Sequence, residues 1–535
     1  MSEAARRVAE ALALDGFKPK VESAGISFNG TLTVRGRTVD IRLDYDGLEF
    51  CTPPTVTITT PQVLGEKVIP HLDENNVLCA VDARQYVADR YSAAGQARGI
   101  LIRVAEVLEE GLQVSSVREI EAEFPSHWGG AAVGVDFAPF DGIAEPSSDM
   151  RGKMRFRRLK AGKPPIGSAV VVTTPIPLSF RPDEMRPATL GEAVEWANSW
   201  VPGIGQRIFD RLVTLPPRNP YVMICAPNGI VGFEIDLLKR GQAVVSAMRT
   251  PAGWARLLRG SFGRHLPINR IHGRRVDMDY ILGTNSLTGA APLASKSIVL
   301  VGCGTIGGHL SVALAQSGAG LGGGSLTVID HETLSDRNIG RHRLGREYVG
   351  LPKADGCKAE IDKMFTDLNV SAVARRVQDC RVRLEAADLV VDATGEQAVG
   401  DMLNAWRLEG TTFHLLHVWI EGNGAAVQSY FSSDPEFGCY RCLQPDLSKE
   451  PRYPVLRPEA DRTMSTGCGE ASFNPYGPAA PMSAAALGIQ HALGWAGGRP
   501  RPLLRTIRLD YDQTQERKPT NPTRSDACPA CTPPL

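Results

Sequence analysis

The sequence predicts a multidomain α/β protein whose C-terminal part is a doubly wound nucleotide-binding domain. From Ser297 onward, strand-like apolar runs alternate with helical stretches, which is the pattern of a parallel sheet covered by helices. A Gly-x-Gly-x-x-Gly turn directly follows the first of these runs. The chain has 535 residues, 43% of them apolar, so it is long enough for three or four domains of about 150 residues.

The N-terminal part has a different pattern, that of an α+β domain. Helical spacing covers Ser2 to Leu14, and the alternation typical of strands covers residues 31–43 and 55–59. Apolar residues between Ala97 and Leu112 fall on one face of a second helix. The predicted order is helix, antiparallel strands, an irregular cysteine-containing stretch and helix.

Composition divides the chain into four parts. We predict an N-terminal domain at residues 1–149, a basic linker at 150–165, a middle or connector domain at 166–290 and the nucleotide-binding domain at 291–535. The linker rests on the stretch from Met150 to Lys163, which holds seven basic residues and no acidic one. The alternative interpretation is a docking strip for an anionic partner. No motif indicates what the middle domain does.

The charge balance argues against a surface built for nucleic acid or acidic lipid. Lys plus Arg equals Asp plus Glu at 59 each, so the net charge is zero and we expect no direct nucleic-acid or membrane partner. No apolar run reaches the roughly 18 residues of a membrane span, and the N-terminus lacks the apolar core of a signal peptide. We therefore expect a cytoplasmic protein, in which the 11 cysteines are thiols or metal ligands.

The glycine turn predicts a phosphate-binding site. Gly302, Gly304 and Gly307 lie between a buried strand and a helix, where backbone N–H groups can approach phosphates. Asp330 ends the next strand, 23 residues beyond Gly307, and can accept from ribose hydroxyls. These features alone would predict a dinucleotide-dependent dehydrogenase.

The residues after that strand favour a different chemistry. The run from Asp330 to His342 resembles the D-x-D-x-[VI]-x-x-S-N-L-x-R-Q run of ubiquitin-activating enzymes and their bacterial ThiF/MoeB relatives. The resemblance implies that Asp330 binds the ribose of ATP and that Asn338, Arg341 and Lys353 hold its phosphates. It also implies a doubly wound, Rossmann-like ThiF adenylation domain, in which a carrier protein's C-terminal carboxylate attacks the α-phosphorus of ATP.

One departure concerns magnesium. The family carries a metal-binding acid in D-x-T-D-N, whereas this chain reads Asp392-Ala-Thr-Gly-Glu396, with Gly395 at the position of that acid. Either Asp392 or Glu396 could supply the carboxylate for Mg²⁺.

Two Cys-x-x-Cys pairs predict a metal site. Cys439 with Cys442 and Cys528 with Cys531 could present the four thiolates of a tetrahedral zinc site, since each turn places two thiols on one side. A redox or chance pair is the alternative. The wide separation of the pairs resembles the structural zinc site of ThiF and MoeB. His414 and His417, by contrast, lie in an apolar strand-like segment and are predicted to be core histidines rather than ligands.

Two further cysteines are candidate nucleophiles. Cys468 lies in a polar, glycine-flanked segment that resembles the crossover loop of activating enzymes, which implies a thioester-forming cysteine. Cys79 follows Pro70-His71 in a stretch that resembles the H-P-N and cysteine region of ubiquitin-conjugating enzymes, with Asp73 at the position of the oxyanion-stabilising Asn. We expect Cys79 to be exposed and helped to reach the thiolate, and His71 to brace the loop rather than act as a base.

Taken together, the two resemblances imply a ubiquitin-conjugating-like α+β domain fused to a ThiF-type activating domain. The chain resembles the bacterial fusions of this kind in CBASS antiviral operons, which implies ATP, Mg²⁺ and Zn²⁺ as cofactors and a homodimer. It also implies that the C-terminus of a cGAS-like nucleotidyltransferase, or a ubiquitin-like carrier, is conjugated to target lysines or amines. A sulfur-carrier adenylating enzyme and a catalytically dead scaffold remain alternatives.

Overall fold

The computed structural model consists of two compact units, Met1–Val276 and Asp277–Leu535. It describes residues 2–23, 25–65, 68–82, 86–113, 117–149, 151–159, 168–181, 184–215, 220–237, 250–460 and 475–531. None of the helices in these ranges is long and apolar enough to cross a membrane.

The first unit begins with the predicted α+β domain. Its five strands form one antiparallel sheet in the order β1-β2-β3-β4-β5, flanked by two helices whose apolar faces share its core. Ser2 begins the first helix because its hydroxyl accepts the Ala5 N–H. The elements are α1 (Glu3–Ala13), β1 (Lys18–Val21), β2 (Gly25–Val34), β3 (Arg37–Asp46), β4 (Thr55–Ile58), β5 (Val77–Leu78) and α2 (Ala93–Gln113). The predicted order of elements is confirmed.

A closed barrel makes up the rest of the first unit. Its strands follow the order β10-β11-β12-β6-β8-β7-β9 and close through the parallel pair β9 and β10. The strands are β6 (Ala131–Asp136), β7 (Gly142–Ser148), β8 (Met154–Arg158), β9 (Ala169–Thr173), β10 (Tyr221–Ala226), β11 (Gly229–Ile235) and β12 (Ile268–Arg275). The helices are α3 (Val117–Ala122), α4 (Phe124–Trp128), α5 (Leu190–Trp200), α6 (Ile204–Leu212), α7 (Pro251–Arg259) and α8 (Ser261–Arg264).

The barrel corrects the predicted domain boundaries. The basic linker predicted at 150–165 contains barrel strand β8, and strands β6 and β7 lie inside the predicted N-terminal domain 1–149. Phe156 of β8 is completely buried, whereas its neighbour Arg157 points to the other side and pairs with Glu145 at 2.8 Å. The arginines therefore cover one side of a strand, which a count of charges cannot distinguish from a linker.

The second unit contains the predicted doubly wound domain, and it starts at Asp277 rather than 291. Its seven-stranded sheet has the order β15-β14-β13-β16-β17-β18-β19, with parallel pairing from β15 to β17 and antiparallel pairing beyond. The strands are β13 (Ser297–Val301), β14 (Ser325–Ile329), β15 (Val370–Val373), β16 (Leu389–Asp392), β17 (His414–Glu421), β18 (Ala426–Phe431) and β19 (Leu504–Arg508). The helices are α9 (Met278–Gly283), α10 (Thr305–Gln316), α11 (Lys353–Met364), α12 (Arg381–Glu385), α13 (Gln397–Leu408) and α14 (Ala479–Ala496).

Candidate active site

The glycine turn connects β13 to α10, and each glycine in it meets a different requirement. Gly302 has a φ of 87°, in the left-handed region that glycine tolerates best. A Cβ on Gly307 would lie 1.8 Å from the Gly302 carbonyl oxygen, whereas a Cβ on Gly304 would meet no atom within 4 Å. Gly304 precedes the helix and has no side chain to bond its first N–H groups, so these can serve an anionic ligand.

Asp330 lies beside this turn, immediately after β14. One carboxylate oxygen accepts the Cys303 N–H at 2.7 Å, and the other accepts the Glu332 N–H at 2.7 Å. Together with Gly302, Gly304 and Glu396, Asp330 lines a cavity at the carboxyl ends of the parallel strands. That is where open α/β sheets bind nucleotides.

A second cavity brings together the three predicted phosphate-binding residues. Asn338, Arg341 and Lys353 line it, and it shares Gly304 and Thr394 with the first cavity. The Lys353 ammonium pairs with Glu332, which lowers the pKa of the Glu332 carboxyl below its usual value. The two cavities thus form a continuous site. Asp330, the predicted ribose-binding residue, lines the first cavity, and the cationic side chains of Arg341 and Lys353 line the second.

Tyr476 also contributes to the wall of this second cavity. Its hydroxyl shares a hydrogen bond of 2.9 Å with Thr305, the first residue of α10, and the Arg341 guanidinium lies 5.1 Å from its ring centroid. No sequence signal points to Tyr476, because nothing in the local pattern links it to a turn 171 residues earlier.

His342 fixes the glycine turn from behind. Its Nδ1 accepts the Leu344 N–H at 3.0 Å, so the proton is on Nε2, which donates to the Cys303 carbonyl at 2.8 Å. Burial lowers the pKa of His342 to about 4, so the imidazole is neutral at physiological pH.

Of the two candidate magnesium acids, Glu396 lines the first cavity, whereas Asp392 is only 4% exposed. One Asp392 oxygen accepts from the Thr394 N–H and hydroxyl, and the other accepts from His417 Nδ1 at 2.9 Å. His417 is buried as predicted, but His414 is exposed, so the prediction that His414 is a core histidine is wrong.

The four predicted zinc ligands come together in the second unit. The Sγ atoms lie 3.9 Å apart for Cys439 and Cys442, 3.7 Å for Cys439 and Cys528, and 3.5 Å for Cys442 and Cys531. All four lie within 4.8 Å of one another. A tetrahedron with Zn–S bonds of about 2.3 Å has edges of about 3.8 Å, so the donor set fits zinc. Tyr440 stacks on His417 with ring centroids 3.9 Å apart, and this connects the cysteine cluster to Asp392.

A groove with aromatic walls borders the second nucleotide cavity. Trp419, Tyr440 and Tyr453 line it, and Gly395 and Ile420 belong to both the groove and the cavity. An extended peptide in this groove could therefore bring its end to the phosphate-binding side chains.

In the first unit, Cys79 is exposed, as predicted, and follows β5. Its N–H donates to the His71 carbonyl at 2.8 Å, and the His71 ring pairs with Glu123 at 2.7 Å, so His71 braces the loop as predicted. Asp73 accepts the N–H groups of Asn75 and Val77 and thereby holds the turn.

The surroundings of Cys79 do not help the thiolate to form. Partial burial raises the pKa of the Cys79 thiol, and the negative charges of Glu123 and Asp82 raise it further. This differs from the expectation for a reactive thiol, because burial disfavours the thiolate and the charges nearby are acidic. Cys468, the other candidate nucleophile, lies outside the described residues.

Comparison with known families agrees with this division of the molecule. Residues 279–530 match the model of the ThiF family, and residues 4–133 match the model of Prokaryotic E2 family B. The chain is a fusion of a ubiquitin-activating-type and a ubiquitin-conjugating-type domain. It is an enzyme, and its ThiF-type domain uses ATP.

Individual relatives span different parts of this fusion. The ATP-dependent ubiquitin transferase-like protein Cap2 of Pseudomonas aeruginosa is 28% identical over 97% of this chain and 98% of its own length. The molybdopterin-synthase adenylyltransferase of Escherichia coli is 28% identical over 32% of this chain and 67% of its own. Among solved structures, Escherichia coli MccB with ATP is 21% identical, covers 47% of this chain and 68% of its own, and has a TM-score of 0.34.

Proposed function

We propose that the ThiF-type domain adenylates the C-terminal carboxylate of a carrier protein, and that the E2-type domain conjugates this carrier to amines. The observation that carries the proposal is the aromatic groove that meets the nucleotide cavity at Gly395 and Ile420. A peptide C-terminus in this groove ends beside the cationic side chains that would hold ATP. A dehydrogenase would instead need a nicotinamide site there.

In the first step, a carboxylate oxygen of the carrier attacks the α-phosphorus, and the bond to the bridging oxygen of pyrophosphate breaks. Arg341 and Lys353 offset the charge that develops on the phosphate oxygens, and the α10 N-terminus at Gly304 receives phosphate oxygens. Magnesium would supply further positive charge at the phosphates. We assign Glu396 as the acid that binds magnesium, because it lines the first cavity. Asp392 is less suited, because both of its carboxylate oxygens already accept hydrogen bonds from Thr394 and His417.

The acyl group then passes between two thiols. The Cys468 sulfur attacks the acyl-adenylate carbonyl carbon, its thiol proton goes to solvent, and AMP leaves. The Cys79 thiol gives its proton to solvent, its sulfur attacks the carbonyl carbon of the resulting thioester, and Cys468 leaves as a thiolate. A target amine finally attacks the Cys79 thioester, forms the amide with loss of a proton, and releases the Cys79 thiolate. Each transfer keeps the acyl group activated.

The finer assignments rest on the resemblance to CBASS fusions. We assign the carrier to a cGAS-like nucleotidyltransferase, the targets to lysines or amines, the context to antiviral defence and the active form to a homodimer. The full-length similarity to the ubiquitin transferase-like Cap2 of P. aeruginosa supports this assignment. We also assign zinc to Cys439, Cys442, Cys528 and Cys531, where it would hold the C-terminal segment against the sheet domain.

The experiment compares Cys79→Ala and Cys468→Ala in the full chain with ATP and a co-expressed cGAS-like nucleotidyltransferase. Both variants should retain ATP–pyrophosphate exchange, because the adenylation step is assigned to Arg341, Lys353 and the glycine turn and needs neither thiol. Mass spectrometry should find the Cys468 thioester in Cys79→Ala and no conjugates with either variant. Conjugates with Cys79→Ala would favour the sulfur-carrier type of enzyme, and the absence of exchange from the unmodified chain would favour a scaffold.

A further inference from the structure

A salt bridge fixes the Cys79 loop, residues 71–79, to the barrel. One Glu74 oxygen accepts the Gly130 N–H, and the other accepts from Nη2 of Arg270 in β12 at 3.1 Å. The Arg270 guanidinium also donates to the carbonyls of Trp128 at 2.9 Å and Pro187 at 3.2 Å. A single side chain of the barrel therefore holds three segments together, with the catalytic loop among them.

Two glycines allow this close approach. Gly129 and Gly130 have φ values of 75° and 80°, in the left-handed region. A Cβ on Gly129 would lie 2.0 Å from a Glu74 carboxylate oxygen, and a Cβ on Gly130 would lie 2.0 Å from the Arg270 carbonyl oxygen. Side chains at these positions would push the loop and the barrel apart.

A second carboxylate fixes the other end of the loop. Glu123, which directly precedes α4, accepts the His71 N–H at 3.0 Å and pairs with the His71 ring. His71 has a φ of 64°, and its carbonyl accepts the Cys79 N–H. The position of the Cys79 backbone thus depends on Glu123 through one intervening residue.

We propose that the barrel is the positioning element of the conjugating domain, and that Arg270, Glu74 and Glu123 form a clamp that orients Cys79 for attack by the amine. The inference gives a role to the middle domain, for which the sequence contains no motif, and it rests on the proposed function of Cys79. A loop held at both ends is ordered before the reaction, so the transition state does not carry the cost of ordering it. Arg270, Glu74 and Glu123 are positioning residues and need not touch the substrate.

The test loads Cys79 chemically, so that it does not depend on the activating domain. The mercaptoethanesulfonate thioester of a glycine-ending peptide acylates exposed thiols of the full chain, and mass spectrometry localises the acyl group to Cys79. Hydroxylamine then discharges the thioester. Arg270→Gln and Glu74→Gln should slow the saturating discharge rate on the order of 10-fold. Arg270→Lys should restore part of the rate, and Arg274→Gln, an exposed arginine on the same strand, should leave it unchanged.

Hydrogen exchange separates positioning from general stability. Amides of the Cys79 loop should exchange faster in Arg270→Gln and Glu74→Gln, while the thermal unfolding of the first unit stays close to that of the unmodified chain. Glu74→Gln keeps the shape of the side chain and so tests the clamp even where Arg270→Gln does not fold. Discharge within twofold of the unmodified rate in Glu74→Gln would overturn the clamp. That result differs from failure of the proposed function, which would appear as conjugates formed by Cys79→Ala.

Discussion

Two alanine substitutions in the glycine turn should separate folding from ATP binding. In Gly307→Ala, the new methyl carbon would lie 1.8 Å from the Gly302 carbonyl oxygen, so the backbone must move. In Gly304→Ala, the methyl meets no protein atom within 4 Å, and the residue's φ of −71° suits alanine. The second methyl would instead occupy space that the phosphates need.

The two substitutions should change the Tm of the second unit differently. Overpacking costs about 1–3 kcal/mol, and a unit of this size loses about 2–4 °C in Tm for each kcal/mol, so Gly307→Ala should lower the Tm of the second unit by about 2–12 °C. Gly304→Ala reduces the conformational entropy of the unfolded chain, which raises the free energy of unfolding by about 0.4–1 kcal/mol, so the Tm should stay constant or rise slightly. Its Kd for ATP should nevertheless increase at least about tenfold, equivalent to about 1.4 kcal/mol.

Differential scanning calorimetry and isothermal titration with ATP on the full chain measure both effects. An equal fall in Tm for the two variants would show that the space around Gly304 is not open. Unchanged ATP affinity in Gly304→Ala would show that the phosphates do not bind at the start of α10. The first result would refute the open space at Gly304, and the second would refute phosphate binding by the glycine turn.

Burial, charge and the cysteine cluster should also determine the reactivity of Cys79, the metal content of the chain and the response of the second unit to pH. Iodoacetamide should alkylate Cys79 slowly at pH 7 because burial and Glu123 raise its thiol pKa, and Glu123→Gln should speed the reaction; no acceleration would show that the carboxylate is not close enough to act. Cys528→Ser should reduce zinc measured by elemental analysis from about one ion per chain to none and lower the Tm of the second unit, whereas equal metal content in both proteins would exclude the site. The second unit should lose stability as the pH falls below 6.5. Burial lowers the pKa of His342 to about 4 and that of His491 to about 3, so the unfolded chain binds more protons than the folded one in this range. Urea titrations at several pH values should show this loss of stability, and His342→Gln should make it smaller.

The parts of the site that the sequence predicted are those encoded by short-range patterns. The glycine turn with Asp330 and each single Cys-x-x-Cys turn have spacings that their chemistry requires. The meeting of the two Cys-x-x-Cys turns is a long-range contact across 89 residues, which the four-thiolate requirement of zinc predicts rather than the local spacing. Asn338, Arg341 and Lys353 lie within 15 residues of one another and also share one cavity. Local geometry of this kind depends little on how distant parts of the chain pack.

The parts that the sequence did not predict depend on long-range contacts. Glu123 lies 52 residues from His71, and Arg270 lies 196 residues from Glu74, so no local spacing connects them. The barrel has two features that local spacing does not reveal: strand β8 presents one buried phenylalanine among arginines, and β6 pairs with β12, which lies 140 residues further along the chain (Ala131 with Ile271). His414 and His417 look alike in sequence, but only His417 lies deep enough in β17 to be buried.

Gly395 offers a direct test of the altered magnesium site. Its φ of 68° is in the left-handed region, which Asp and Asn tolerate better than most residues, and a Cβ there would meet no atom within 4 Å. Gly395→Asp should therefore fold, and it would place a carboxylate on the wall of the cavity that holds Arg341 and Lys353.

If Glu396 serves as the metal acid, Glu396→Gln should abolish the gain in ATP affinity that Mg²⁺ gives over EDTA in titration calorimetry. Adding Gly395→Asp to that variant should restore the gain, while Gly395→Asn, with the same shape and no charge, should not. A normal Mg²⁺ dependence in Glu396→Gln alone would show that Glu396 is not the metal acid. Asp392 could then replace it only by giving up a hydrogen bond, because its two oxygens already accept from Thr394 and His417.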